Sequence, residues 1–131
     1  MINKTSTDEF GCAQCWPDSA DAAWPMMQKT ERGDDICDES HLHIMLSICG
    51  TCQQHFLWVF TEKIDWAAGD DPQHWAVLPL TQDEVKARNY ALSYDAAAPL
   101  QPTRRSLQVD APKGGGMDIF WSTGLFIGSH D

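Results

Sequence analysis

Two runs of the chain alternate as strands do, and they flank a short cysteine-containing turn. From His41 to Ile48, Leu42, Ile44, Leu46 and Ile48 fall on one face and His41, His43, Met45 and Ser47 on the other. From His55 to Thr61 both faces are apolar: Phe56, Trp58 and Phe60 on one, Leu57 and Val59 on the other. That is the pattern of a central strand covered from both sides. Joined through the turn that holds Cys49 and Cys52, the two runs predict an antiparallel hairpin.

Elsewhere the patterning is weaker. Asp18 or Ser19 can cap a short helical turn through Ala20–Ala23, which Pro25 would end near Trp24. Glu31–Glu39 reads as a solvated acidic loop, Asp65–Pro72 as a second loop and Trp75–Leu80 as a strand. Thr81 starts a helix: with Glu84 it makes a capping box, and Asp83 and Glu84 suit the positive end of the helix dipole. That helix is expected to reach about Tyr94, with no single apolar stripe to mark its buried side. Ala96–Pro102 reads as a turn. Ser106–Val109 and Asp118–Trp121 read as short strands around the glycine-rich loop Lys113–Gly116, and Leu125–Ile127 as a last edge strand. The fold class expected is α+β, mainly an antiparallel β sheet with one helix.

The chain's 131 residues fit a single domain over 1–131. Within it, 1–10 form a flexible lead, 11–64 the cysteine-bearing region and 65–131 a strand–helix–strand extension. A chain of this length buries roughly two-thirds of its unfolded surface and folds without covalent staples. Its six Trp and five Phe imply bulky core layers or an exposed aromatic surface. No apolar run approaches the ~20 residues of a membrane span, and the first residues show no export signal, so the expected location is cytoplasmic. Nine basic against nineteen acidic side chains give a net charge of -10. Such a field opposes phosphate backbones, disfavouring nucleic acid, and suits a basic protein partner.

In a reducing compartment, close cysteine pairs read as metal ligands or redox motifs rather than staples. Cys12-x-x-Cys15 and Cys49-x-x-Cys52 are two such pairs. A two-residue spacer lets one turn point both sulfurs at one ion, and a tetrahedral site needs a second pair to close it. Here the chain resembles the zinc-ribbon and rubredoxin-like folds, over Gly11–Trp16 and His43–Phe60 alone. The resemblance implies a zinc-clamped hairpin with Cys12, Cys15, Cys49 and Cys52 as ligands of one structural zinc. Iron suits the same sulfurs. The chain departs from the compact pattern in two ways. Thirty-three residues separate the pairs, against roughly 15 to 20, and Trp16 and Gln53 stand where many knuckles have glycine. Cys37, His41 and His43 are alternative ligands, more simply read as a lone small side chain and a hydrogen-bonded surface pair.

Signatures of catalysis are missing: no His-Glu-x-x-His, no Gly-x-Ser-x-Gly, no phosphate loop, and no His with Glu two residues on. Four thiolates leave a metal no vacancy for water. Asp65, Gly69, Asp70 and Asp71 lack the spacing of a calcium loop. The leading expectation is therefore a non-catalytic, zinc-stabilised protein-interaction module: an acidic adaptor, inhibitor or immunity-type protein. The alternatives are a thiol redox or metal-exchange protein, and a nucleic-acid binder using Lys86, Arg88, Arg104, Arg105 and Lys113. Trp16, Trp66 and Trp75 are read as core, or else as anchors for a partner. Ile119–Trp121 and Leu125–Ile127 are read as an edge through which the chain forms a homo-oligomer.

Overall fold

The computed structural model describes residues 10–63, 72–88, 90–112 and 115–130. Six strands, each antiparallel to the next in sequence, make one sheet in the order β1 to β6. They are β1 Glu31–Glu39, β2 Leu42–Ile48, β3 His55–Glu62, β4 Gln73–Leu80, β5 Leu100–Ala111 and β6 Asp118–Leu125. Helix α1, Ala20–Met27, precedes the sheet, and α2, Gln82–Ala87, links β4 to β5. The α+β class is as expected, with two short helices where one was foreseen. Among the described residues no helix is long and apolar enough to cross a membrane.

The hairpin pairs as its alternation predicts, from Leu42 opposite Thr61 to Ile48 opposite His55. β3 is buried on both faces. On one face Phe56 and Trp58 join Val77, Leu107 and Val109 beneath Ala23, Trp24 and Met27 of α1 and the cysteine turns. On the other, Leu57 and Val59 join Leu42, Ile44, Leu46, Ala76, Leu78 and Leu80 beneath Tyr90, Leu125 and Ile127. Trp58 also carries a polar anchor, since its buried Nε1 donates to Ser47 Oγ at 2.8 Å.

Several expectations change. The acidic segment Glu31–Glu39 is a strand, β1, solvated along nearly its whole length. It pairs with β2 through its backbone, from Glu31 opposite Ile48 to Glu39 opposite Leu42, with irregularities around Asp35. An edge strand held this way needs no apolar alternation, so its side chains conceal it. α1 has the expected cap, with Ser19 Oγ accepting from the Ala22 N–H, but it continues through Pro25 to Met27. Buried Trp24 and Met27 flank the proline, and their packing offsets the hydrogen bond it removes. α2 has the expected capping box but stops at Ala87, where Arg88 takes the left-handed conformation and ends the helix. The chain after it leaves the helix, and Tyr90 and Leu92 pack on the sheet. β5 starts at Leu100, inside the expected turn, and β6 runs unbroken to Leu125. Ile127 is in no separate strand; its N–H bonds the Ser93 carbonyl at 2.7 Å. The lead up to residue 9, the acidic loop with Asp65, Trp66, Asp70 and Asp71, and Lys113 and Gly114 lie outside the described residues.

Candidate metal centre

Each cysteine pair sits in a turn closed by its own backbone. In the first, the Trp16 N–H bonds the Cys12 carbonyl at 2.9 Å and the Cys12 N–H points at Cys15 Sγ at 3.3 Å. In the second, at the tip of the β2–β3 hairpin, the Gln53 N–H bonds the Cys49 carbonyl and the Cys49 N–H bonds the Gln54 carbonyl, both at 2.9 Å. The Thr51 N–H points at Cys49 Sγ at 3.4 Å. Gln53 follows the second cysteine with φ of 66°, the left-handed region where many knuckles use glycine.

Gly11 opens the first turn at φ of 70°, and a Cβ there would lie 2.5 Å from Trp16 Cβ and 3.0 Å from Cys15 Sγ. Only glycine fits. The two turns are fastened together by amides: the Gly11 N–H donates to Gln54 Oε1 at 3.0 Å, and Thr51 Oγ1 donates to Gln14 Oε1 at 2.9 Å. Gln54 Nε2 in turn donates to the carbonyls of His55 and Leu80, tying the pair of turns to the ends of β3 and β4.

This arrangement brings Cys12, Cys15, Cys49 and Cys52 together, with all four sulfurs within 4.8 Å of one another. Cys15 Sγ lies 3.7 Å from both Cys12 Sγ and Cys52 Sγ. Bonds of about 2.3 Å in a tetrahedron place sulfurs about 3.8 Å apart, so the spacing fits one ion at the centre. It is far too long for a disulfide bond of about 2.05 Å. Cys15 and Cys49 are buried, Cys12 is half-buried and Cys52 is exposed. Burial pushes the Cys15 and Cys52 thiols up from their ordinary value. Cys12 is pulled down to about 7, chiefly by the Cys15 backbone N–H, against the opposing effect of burial. A cation is what would make all four thiolates together favourable.

The alternative ligands lie elsewhere. Cys37 packs against the sheet's far core, and burial raises its thiol. His41 pairs with Glu62 at 3.4 Å. His43 forms a second close group with Asp35 and Asp38, but Arg32 Nη2 already sits 3.0 Å from His43 Nε2 and 2.8 Å from Asp35 Oδ1. The arginines do not make one basic patch. Arg104 is buried against Glu84 at 2.7 Å, Arg88 pairs with Asp34, and Arg105 lies 3.9 Å over the Trp121 ring.

Of the tryptophans, Trp16 is buried against Phe56 and Trp121, and Trp75 packs its ring on Trp24 and Phe60. One polar group has only a faint signal in the sequence. His74 on β4 bonds Asp110 through Nδ1 and Gln108 Oε1 through Nε2 at 2.6 Å, and Gln108 Nε2 donates to Ser106 Oγ at 2.9 Å. Its signal is the alternation of Ser106, Gln108 and Asp110 with Leu107 and Val109 along β5. Set beside known proteins, the chain matches no protein family, no curated protein and no solved structure.

Proposed function

We propose that this chain is a non-catalytic protein-interaction module held together by one structural zinc on Cys12, Cys15, Cys49 and Cys52. The observation that carries the reading is the sulfur cluster, whose spacing fits a tetrahedral ion and whose close group, among the described residues, contains no fifth ligand. Zinc is preferred to iron because it binds as a redox-inert clamp, and no second redox partner is needed to explain the site. The ion would join Cys12 to Cys49 across the chain and fasten α1 to the sheet. The acidic surface then supplies recognition: a net charge of -10, concentrated in part on the exposed strand β1, favours a basic protein partner. An adaptor, inhibitor or immunity-type protein of the cytoplasm is the role that fits.

Elemental analysis of the purified protein, with thiol titration before and after chelation, tests the centre. One zinc per chain and four thiols that react only after chelation are expected. The recognition half is tested by comparing captured proteins for the native chain and a variant with Asp34, Asp35 and Asp38 changed to Lys. A basic protein held by the first and lost by the second supports it; binding indifferent to these changes refutes it.

A thiol-exchange or metal-transfer protein is the second reading. It is favoured by the lowered Cys12 thiol and by exposed Cys52, which borders a groove of about 390 Å³ with Phe10, Gln53 and His55. Fast alkylation of the metal-loaded protein would favour this reading over the first.

A further inference from the structure

The two edges of the sheet are built differently. β1 carries five acids and one arginine in nine residues, with two irregularities in its pairing. Those are the devices by which natural sheets discourage another strand from adding on. β6 carries few of them: in Asp118–Leu125 the only charged residue is Asp118, no proline interrupts it, and its pairing with β5 is regular from Asp118 to Thr123 before one register shift. Among the described residues β5 is its only strand neighbour. Phe120 on β6 and Met117 just before it are two of the large apolar side chains the structure leaves exposed, at 36% and 57%. α1 and the first cysteine turn lie across one face of the sheet, and Trp121 Nε1 reaches the Asp18 carbonyl at 2.7 Å.

We propose that β6 is a self-association edge, and that its occupant is β6 of a second copy of this chain. A two-fold axis perpendicular to the sheet near Phe120 and Trp121 sets the two strands antiparallel and doubles the six-stranded sheet into one. That symmetry puts the two Asp118 side chains at opposite ends of the joint. It also keeps the acids of β1 away from the joint, since five strand spacings carry them about 24 Å from β6. This is more than two screening lengths at physiological salt, so the chain's strong negative charge does not forbid pairing of like molecules. The charged groups placed beside the joint are Asp118, with Asp110 opposite it on β5 at one end, and Arg105 over the Trp121 ring near the middle. A basic peptide has little to pair with on β6, whereas the exposed apolar side chains match their own copies.

Sedimentation equilibrium of the metal-loaded chain, from micromolar to several hundred micromolar, reads the association. Hydrogen exchange at the two concentration extremes locates it. The expected result is a dimer at high concentration, with added protection in 118–125 and none in 31–39. Phe120→Lys with Ser122→Lys, both at exposed positions, is expected to weaken association by about tenfold or more at unchanged zinc content. Ile36→Lys on β1 is the control expected to leave it intact. A monomer throughout the range overturns the proposal. So does a dimer that survives both lysines, or protection that appears on β1 instead. Should the double variant fail to fold, the native exchange pattern still decides.

Discussion

Gly11→Ala tests whether backbone shape at the first turn governs metal affinity. The native residue has φ of 70°, where an L side chain costs about 1–2 kcal/mol. The new Cβ would also stand 2.5 Å from Trp16 Cβ and 3.0 Å from Cys15 Sγ. Relief requires either moving Trp16, packed against Phe56 and Trp121, or withdrawing a sulfur from the cluster. Displacing such packing costs typically 1–3 kcal/mol more, so about 3 kcal/mol in all is expected. The strain belongs to the folded turn, into which the proposed ion would have to draw the chain. It should therefore surface as a loss of zinc affinity of about two powers of ten, alongside a lower unfolding midpoint. Competition against a chromophoric chelator measures the first, and urea denaturation of the loaded protein the second. Gly50→Ala is the matched control, because a Cβ there meets nothing within 4 Å. Equal affinity and stability in Gly11→Ala and the native chain would refute the reasoning.

Cys12→Ser, Cys15→Ser, Cys49→Ser and Cys52→Ser are each expected to lose most bound zinc and Cys37→Ser to keep it, which elemental analysis reads directly. Ser47→Ala leaves the buried Trp58 Nε1 without its acceptor, while Thr30 Oγ1 keeps the Met27 carbonyl, and should cost about 1–3 kcal/mol by thermal denaturation. Burial works to raise the Glu84 carboxyl, but bonds from Arg104 and the Thr81 N–H hold it below its ordinary 4.5. Its stabilisation is thus complete above that value and lost as pH falls through the lower folded one. Glu84→Gln keeps a capping residue and drops the charge. It should destabilise by about 1–2 kcal/mol at pH 7 and narrow that gap in acid, as denaturant titrations at pH 7 and pH 3 would show.

How much of the structure is legible in the sequence follows from burial. β3 is buried on both faces, so its alternation with β2 carried the hairpin; the two cysteine spacings carried the turns. β1 was missed because nothing about its side chains is strand-like: Asp34, Asp35 and Asp38 face water while the backbone does the pairing. The pattern predicts too long a helix at α2 because Tyr90 and Leu92 are apolar for a sheet contact, not for a helix face. The cysteines were visible as four candidates. The amide of Gln54 that fastens one turn to the other was not, since a glutamine has no spacing rule that marks such a role.

Every strand pairs with its successor, most of them across short turns, though β4 and β5 join residues 30 to 38 positions apart. The segment before β1 reaches as far. Its first cysteine turn must travel back to a hairpin formed by residues about thirty-five positions later, and α1 follows it onto Phe56, Trp58 and Trp75. Withdrawing the ion would release that lid and leave a wall of indoles facing water. Metal supply would then govern how sticky the molecule is, well before it governs whether the strands remain paired.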